Sequence, residues 1–186
     1  MSKTAVVLIA EGTEEIEAIT PADVLNRCGV DVTIAGVGGT EIMGGHHVPL
    51  RAECTVEELG EILFDAIVVP GGGKGAESLH KSEEVSSLIM RHHEQGRLIG
   101  AICAAPAVVL APLGLLAGRH ATCFPGLERR FGADVKMCET SVVVDGKIVT
   151  SRAPGTAMEF SIKLAELLVG APTALKVRQN MLVPNH

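Results

Sequence analysis

The chain has 186 residues with a formal net charge of −6, and 47% of its residues are hydrophobic while only 2% are aromatic. This length suits one domain with a sizeable core, and we predict a single domain over residues 1–186. The acidic balance and the lack of Trp and Tyr argue against a nucleic-acid partner, because such surfaces usually combine basic patches with aromatic platforms for the bases.

The five cysteines form no CxxC pair and no zinc-finger spacing with histidine, which disfavours a structural zinc site and a disulfide framework. The seven histidines form no ligand set either, so we expect neither a metal nor another cofactor. No segment approaches the roughly 18 apolar residues of a membrane span, and the amino terminus is unlike a signal or transit peptide. We therefore expect a soluble cytoplasmic protein whose thiols stay free in a reducing compartment.

Short, continuous apolar runs predict strands that are buried on both faces of a sheet. These runs span residues 4–10, 30–37, 64–69 and 97–102. Residues 38–53 are rich in glycine and predict a loop or a short irregular hairpin. Residues 135–151 predict two further strands joined at Asp145-Gly146, a dipeptide typical of hairpin turns.

Amphipathic or capped segments between these strands predict helices. The first follows Thr13 as its cap, is kinked or restarted at Pro21 and ends at Gly29. Further helices are predicted over residues 55–63, 83–95, 105–116, 156–169 and 173–181. Because strands and helices alternate, we predict a mainly parallel sheet with helices on both faces, in one three-layer α/β domain.

Cys103 is the strongest candidate nucleophile in the segments that follow the strands, where sites in parallel sheets collect. It ends a predicted strand and begins a predicted helix, with the small residues Ala101 and Ala105 two positions away on either side. This spacing is typical of a strained nucleophile elbow. The positive end of the following helix should lower the pKa of the thiol, and the amide of Ala104 should face a developing oxyanion. The alternative is a buried, inert cysteine.

The glycine run from Gly71 to Gly75 follows the third predicted strand. It does not match a Walker A phosphate loop, because Val68 stands in place of the first glycine and Lys74 is followed by glycine. A GxGxxA pattern leaves dinucleotide binding as an alternative. We favour close approach of the backbone, with the loop at Gly71 and Gly72 supplying a second amide donor to an oxyanion hole.

Three acidic residues, Glu14, Glu15 and Glu17, follow the first strand. A solvated helix face is the simple interpretation, and we adopt it for Glu15. Apolar residues directly follow Glu17, so this carboxyl could face inward, where burial would raise its pKa and let it exchange a proton with a thiolate or a substrate. Among the histidines, His120 stays as a weaker candidate base.

Five segments together resemble the DJ-1/ThiJ/PfpI superfamily, and most closely its DJ-1 and YajL-like branch. They are LIAEGTEEIEA, VVPGGGKGAE, AICAAPAVV, TCFPGLE and VTSRAPGTAMEF. The similarity runs from about Lys3 to about Val183. The resemblance implies a flavodoxin-like three-layer αβα sandwich, a homodimer, and an oxidation-prone nucleophilic cysteine at Cys103. It also implies a protonated glutamate at Glu17.

The same resemblance implies roles for several other positions. The oxyanion amides match Gly72 and Ala104, and Arg27 matches a basic residue of the family's dimer interface. A second interface arginine has no counterpart, because His46 and His47 occupy that region. Ala104 stands where protease-like members have a histidine, which argues against a peptidase. The residues expected to line the site are Glu14, Cys123, Phe124, Pro154 and Gly155, of which Phe124 replaces a histidine of the animal members.

The leading hypothesis is a cofactor-independent glyoxalase III or deglycase, which acts on methylglyoxal-type 2-oxoaldehydes or on their adducts with proteins and nucleotides. Cys103 would attack the aldehyde, Gly72 and Ala104 would hold the oxyanion, and Glu17 would move the proton between the two carbons. The alternative is a redox-responsive protective protein or chaperone, in which Cys103 is oxidised to sulfinate. A third hypothesis, plain dinucleotide binding, requires an affinity for NAD that we do not expect.

Overall fold

Seven strands form the central sheet of the computed structural model, which describes residues 2–184. Two further pairs of short strands lie outside this sheet. In chain order all of these strands are β1 (Thr4–Ile9), β2 (Asp31–Gly36), β3 (Glu41–Met43), β4 (Pro49–Arg51), β5 (Cys54–Thr55), β6 (Ala66–Val69), β7 (Leu98–Ile102), β8 (His120–Ala121), β9 (Lys136–Met137), β10 (Val142–Asp145) and β11 (Ile148–Ser151). The pairs outside the sheet are β3–β4 and β8–β9. The sheet order is β10-β11-β7-β6-β1-β2-β5. Only β10 is antiparallel to its neighbour within the described sheet.

The predicted hairpins are confirmed. Strands β3 and β4 pair within the glycine-rich segment, and β10 pairs with β11 across the turn at Asp145-Gly146. The predicted buried strands are also present, since β1, β6 and β7 consist almost wholly of buried aliphatic residues. A sheet of this kind with helices on both faces is the predicted α/β sandwich.

The helices that cover the sheet are α1 (Glu15–Arg27), α2 (Gly73–Lys81), α3 (Glu83–Glu94), α4 (Ala157–Val169) and α5 (Ala171–Asn180). Helix α1 packs against α4, and α4 packs against α5, whereas α2 packs against α3. Gly100 in β7 lets α4 lie close to the sheet, because a Cβ there would be 2.9 Å from side-chain atoms of Phe160 and Leu164. None of the described helices is both long and apolar enough to cross a lipid bilayer.

The start of α1 differs from the prediction. Glu14, rather than Thr13, is the N-terminal cap, and its Oε2 accepts a 2.9 Å hydrogen bond from the Glu17 amide. The Thr13 hydroxyl instead accepts a 2.9 Å bond from the amide of Ala10 and closes the turn after β1. Pro21 lies inside a continuous α1, because a proline removes only one helical hydrogen bond and buried neighbours hold the helix against the sheet.

Two predicted helices are shorter than expected. Residues 55–63 contain only the end of β5 and a 3-10 turn at Glu57–Leu59, because backbone pairing with β2 extends into this segment and Gly60 ends the turn with a φ of +53°. Residues 105–116 contain one π-helical turn at Pro106–Leu110. There the Ala111 amide donates to the Pro106 carbonyl, five residues earlier, at 2.9 Å.

Helix α2 is absent from the sequence-based prediction. Its first residues belong to the glycine run, which is typical of a loop, and the buried face of the helix consists of Gly75, Ala76 and Leu79. Packing against the turn at Pro106–Leu110 stabilises a helix that its composition alone does not favour. The loop after β6 is therefore short and leads straight into α2.

The three parallel strands β7, β6 and β1 determine where the candidate site lies. They lie side by side, and Val7 pairs with Val68 while Val69 pairs with Ala101. Since their carboxyl ends meet at one edge of the sheet, residues 11–17, 71–75 and 103–106 come together there.

Candidate active site

Cys103 lies at the sharp turn that follows β7. Its φ is +64°, in the left-handed region that residues other than glycine rarely adopt. The backbone is held on both sides, because its amide donates to the Ser151 carbonyl at 2.9 Å and its carbonyl accepts from the Phe124 amide at 2.8 Å. The structure thus contains the tight turn that the small residues around Cys103 predict.

Glu17 is the buried carboxyl beside this cysteine. Helix α1 turns the side chain inward, where it is 0% exposed, and Oε2 accepts a 2.9 Å hydrogen bond from the Gly71 amide. Oε1 is buried without a partner of normal hydrogen-bond geometry in residues 2–184, although the Cys103 thiol is close enough to influence the carboxyl. Burial raises the pKa of Glu17 to about 7, while Cys103 and the Gly71 amide oppose the shift.

The Cys103 thiol does not have the lowered pKa expected from its position before a helix. Burial and the neighbouring Glu17 carboxylate raise this pKa to about 12, although the nearby backbone amides of Gly72 and Ala104 oppose the shift. Only a π-helical turn follows the cysteine, so the helix dipole acting on it is small. The two groups share one buried space, and transfer of a single proton converts a carboxylate and a thiol into a carboxylic acid and a thiolate.

Glycine at position 71 allows the loop after β6 to contact both groups. A Cβ on Gly71 would lie 2.7 Å from Glu17 Oε2, 2.8 Å from the Cys103 Cβ and 3.0 Å from the Ala104 nitrogen. Gly72 follows with a φ of +84°, which a glycine adopts without strain. The loop thereby brings the Gly72 amide to the sulfur.

The same loop packs closely against the turn after β1. A Cβ on Gly75 would lie 2.6 Å from the Thr13 nitrogen, and the Glu14 amide donates to the Gly71 carbonyl at 3.1 Å. These glycines are therefore used for contact between two loops. A phosphate loop instead leaves its amides free for a pyrophosphate, and so this packing gives no support to dinucleotide binding.

An open pocket of ≈ 720 Å³ lies over Cys103. Glu17 and Gly71 lie behind the cysteine, outside the pocket lining. Of the residues named from the sequence, those that line the pocket are Glu14, Gly72, Cys103, Ala104, Phe124 and Pro154.

Three residues named from the sequence lie away from this lining. Cys123 is 0% exposed and its thiol donates to the Phe124 carbonyl at 3.5 Å, because the chain turns its side chain into the core. Gly155 lines a separate depression beside α4. Arg27 is exposed on α1 and pairs with Asp23 at 2.7 Å.

Among the pocket residues that were not named as site residues from the sequence, His46 and Arg129 carry ionisable side chains. His46 comes from the turn between β3 and β4, and its Nδ1 lies 3.1 Å from Glu15 Oε2 and 3.8 Å from Glu14 Oε1. Arg129 comes from the short 3-10 turn at Glu128–Arg130. Long-range packing brings both to the pocket, and no local pattern in the sequence marks them.

Glu14, Glu15 and His46 are a possible set of metal ligands, since their ligand atoms all lie within 4.8 Å of one another. However, Glu15 Oε1 already accepts bonds from the amides of His46 at 2.7 Å and Val48 at 3.3 Å. Through these bonds Glu15 holds the β3–β4 hairpin against α1. His120 is exposed and lies 3.4 Å from Asp145, outside the pocket lining.

A family model described as the DJ-1/PfpI family matches residues 3–167. Protein dj-1beta of Drosophila melanogaster is 38% identical, with 98% of each chain covered. Glutathione-independent glyoxalase DJR-1.2 of Caenorhabditis elegans is 33% identical, with 90% of each chain covered.

The chain spans less than half the length of two Arabidopsis thaliana relatives. It matches 40% of Protein DJ-1 homolog B, at 39% identity over 95% of this chain, and 45% of Protein DJ-1 homolog A, at 43% identity over 94% of this chain. Among solved structures, oxidised Toxoplasma gondii DJ-1 superposes with a TM-score of 0.96 at 36% identity, over 99% of this chain and 100% of that one.

Proposed function

The chain belongs to the DJ-1/PfpI family, and on that premise we propose that it is a cofactor-independent glyoxalase for methylglyoxal-type 2-oxoaldehydes. The observation that supports the proposal is the proximity of the Cys103 thiol to the buried Glu17 carboxyl behind the pocket, with the backbone amides of Gly72 and Ala104 near the sulfur. One relative of similar length carries the name glutathione-independent glyoxalase. Such a role protects the cell from reactive carbonyl compounds.

The reaction begins when the Cys103 thiolate attacks the aldehyde carbon and forms a C–S bond. The amides of Gly72 and Ala104 then hold the resulting oxyanion, because amides close to the sulfur also lie near an oxygen on the attached carbon. Glu17 next removes the proton from this carbon and returns it to the neighbouring carbonyl carbon. The product is a thioester of a 2-hydroxy acid, which water hydrolyses to the acid and the free thiol. The sum is one 2-oxoaldehyde plus one water giving one 2-hydroxy acid.

The same chemistry extends to deglycation. An adduct of a 2-oxoaldehyde with an amine or a guanine keeps a carbon bonded to oxygen and nitrogen, and loss of the amine regenerates the aldehyde for Cys103. The open pocket over Cys103 leaves room for part of a larger adduct. Release of 2-hydroxy acid from a preformed adduct, at a rate above its spontaneous breakdown, distinguishes this activity from conversion of free aldehyde.

Lactate formation from methylglyoxal tests the proposal. We expect activity in the wild type and in Cys138→Ala, which alters an unrelated cysteine, and losses of at least 100-fold in Cys103→Ala and Glu17→Gln. Cys138 is a suitable control because it is free and lies outside the pocket lining. Equal rates in all four proteins would rule out this mechanism.

Oxidation of Cys103 to sulfinate, in a redox-responsive protective protein or chaperone, is a second candidate function. The buried Glu17 carboxyl near Cys103 favours it, since its Oε1 has no hydrogen-bond partner among residues 2–184 and a protonated carboxyl there can donate to a sulfinate oxygen. Two peroxides convert the thiolate into sulfinate with release of two waters. Peptide mass after mild peroxide should show two added oxygens at Cys103 before the other cysteines react. Uniform oxidation of all five cysteines would contradict this role.

We also propose that the protein is a homodimer through α1 and the β3–β4 hairpin. Four apolar side chains are unusually exposed there: Ile16 at 53%, Ile19 at 46%, Met43 at 42% and Val48 at 50%. Glu15 joins the two elements by accepting hydrogen bonds from hairpin amides, so these side chains form one surface. A second copy of the chain is the partner that would cover it.

A further inference from the structure

Arg129 gives the pocket over Cys103 a positive charge that the proposed reaction does not use. It lines the pocket, and it makes no ion pair or side-chain hydrogen bond with any described residue. Its neighbour Arg130 pairs with Glu77 at 2.7 Å, and Lys74 lies 3.5 Å from Glu11. Among these nearby cations, Arg129 is the one that still has its charge available for a ligand.

The turn that carries Arg129 is fixed relative to Cys103. The Phe124 amide donates to the Cys103 carbonyl at 2.8 Å, which anchors the beginning of the segment. The Arg130–Glu77 pair anchors its end to α2. Glu128, the nearest carboxylate in sequence, is turned back to accept a 2.6 Å bond from the Gly126 amide. The segment thus holds Arg129 at the pocket, and the Glu128 carboxylate contacts the Gly126 amide rather than the Arg129 guanidinium.

The other ionisable groups that line the pocket form contacts with residues other than Arg129. Glu14 Oε2 is occupied by the Glu17 amide at 2.9 Å, and burial raises the pKa of Glu14. His46 faces Glu15 at 3.1 Å. The first residues of α2 also border the pocket at Gly72 and Gly73, and the amino-terminal end of a helix favours anions.

We propose that Arg129 is a specificity-determining residue that binds an anionic group of the substrate, so that the site prefers 2-oxoaldehydes carrying a carboxylate or a phosphate. Cys103 reacts with the aldehyde end, while Arg129 holds the acidic end on the pocket wall. Guanidinium groups suit this task because they bind carboxylate and phosphate through paired hydrogen bonds. The substrate class rests on the proposed glyoxalase function, but the anion site itself does not.

Alkylation of Cys103 by two reagents of similar size tests the anion site without any enzymatic activity. Iodoacetate is anionic and iodoacetamide is neutral, and each forms a C–S bond with release of iodide. Peptide mass gives the rate at Cys103 for both. We expect Arg129→Gln to lower the ratio of the iodoacetate rate to the iodoacetamide rate by roughly 3- to 10-fold, and Arg129→Lys to retain most of the ratio.

Arg130→Gln is the matched control, because it removes the same charge from the adjacent residue, whose guanidinium is already paired with Glu77. The ratio should change little in this variant. A fall in Arg130→Gln equal to that in Arg129→Gln, or no fall in either, would overturn the proposal. The ratio should also decline as salt screens the charge.

The substrate class is tested by comparing methylglyoxal with 4,5-dioxopentanoate, a 2-oxoaldehyde that ends in a carboxylate and yields 2-hydroxyglutarate. We expect Arg129→Gln to lower kcat/KM for the anionic aldehyde, mainly through KM, by roughly 3- to 10-fold more than for methylglyoxal. Equal effects on both aldehydes would contradict the proposed specificity. If the wild type converts neither aldehyde, the glyoxalase proposal fails, and the alkylation ratio still decides whether Arg129 binds anions.

Discussion

At the scale of single residues, the burial of Glu17 is the feature with the largest electrostatic consequence. A carboxyl that is 0% exposed loses its hydration, and the single amide bond from Gly71 does not replace it. The pKa therefore rises to about 7, into the range where a carboxyl both accepts and returns a proton at neutral pH. Cys103 gains a proton donor and acceptor at its side, although its own pKa is high.

The Glu17 pKa predicts how stability depends on pH. Because the folded pKa of about 7 lies above the ordinary value of 4.5, the contribution of Glu17 to stability is full below pH 4.5 and is lost as pH rises through about 7. The shift corresponds to about 3 kcal/mol. We expect the free energy of unfolding of Glu17→Gln, relative to wild type, to improve by about this amount between pH 4.5 and pH 8.

Urea denaturation across this pH range measures the effect. Glu94→Gln is the control, because it changes an exposed carboxyl on α3 and should leave the difference from wild type constant over pH. If the difference in unfolding free energy between Glu17→Gln and wild type were also constant over pH, burial would not destabilise the ionised form of Glu17, and the interpretation would be wrong.

Gly71 gives a second prediction at this scale. In Gly71→Ala the new methyl group would lie within 3.0 Å of Glu17, Cys103 and Ala104, so we expect a destabilisation on the order of 2 kcal/mol. Gly73→Ala has nothing within 4 Å of the new Cβ and starts a helix, where it should be neutral or slightly stabilising. Thermal unfolding of the two variants compares them, and similar melting temperatures would contradict the close contact at Gly71.

At the scale of elements, the β3–β4 hairpin depends on one carboxylate of α1. Glu15 accepts bonds from the amides of His46 and Val48, and these bonds lower the pKa of Glu15 although burial opposes the shift. The solvated helix face predicted for Glu15 is therefore incorrect, since Glu15 is 8% exposed. Glu15, which the sequence suggests is a surface residue, thus attaches the β3–β4 hairpin to α1. This hairpin contributes His46 to the pocket.

Hydrogen exchange tests this attachment. In Glu15→Ala we expect the amides of His46 and Val48 to exchange about tenfold faster, because each loses a charged acceptor. Glu41→Ala is the control, because Glu41 lies in the hairpin itself and forms an exposed 3.5 Å pair with Arg51; this variant should leave the two amides unchanged. Equal exchange in the two variants would show that other contacts hold the hairpin.

At the scale of the whole molecule, the exposed apolar surface of α1 and the β3–β4 hairpin is the reason that we expect a homodimer. We predict a mass in solution of twice 19.4 kDa for the wild type. Ile16→Glu should shift the protein toward the monomer, because it places a charge within that surface. Ile62→Glu is the matched control, since Ile62 has the same 53% exposure and lies outside α1 and the hairpin. Light scattering after size exclusion measures both, and a wild-type monomer would contradict the dimer.

The sequence by itself determined the long buried strands, the order of the layers and the position of Cys103. Strands such as β1, β6 and β7 are continuous aliphatic runs, and the turn at Cys103 depends on the small residues beside it. Both features can therefore be predicted from the local sequence. The inward orientation of Glu17 could also be predicted, because apolar residues follow it in α1. Helix α2 could not be predicted, since its stability comes from packing rather than from its glycine-rich composition.

Only the tertiary structure decided what these residues do to one another. The bond from Gly71 to Glu17 spans 54 positions in the chain, and the pKa values of Glu17 and Cys103 follow from the burial that such contacts create. The same holds for His46 and Arg129, which reach the pocket from a hairpin and a short turn. Local patterns specify elements, whereas solvation and electrostatic interactions depend on which elements meet, and that is a property of the folded chain.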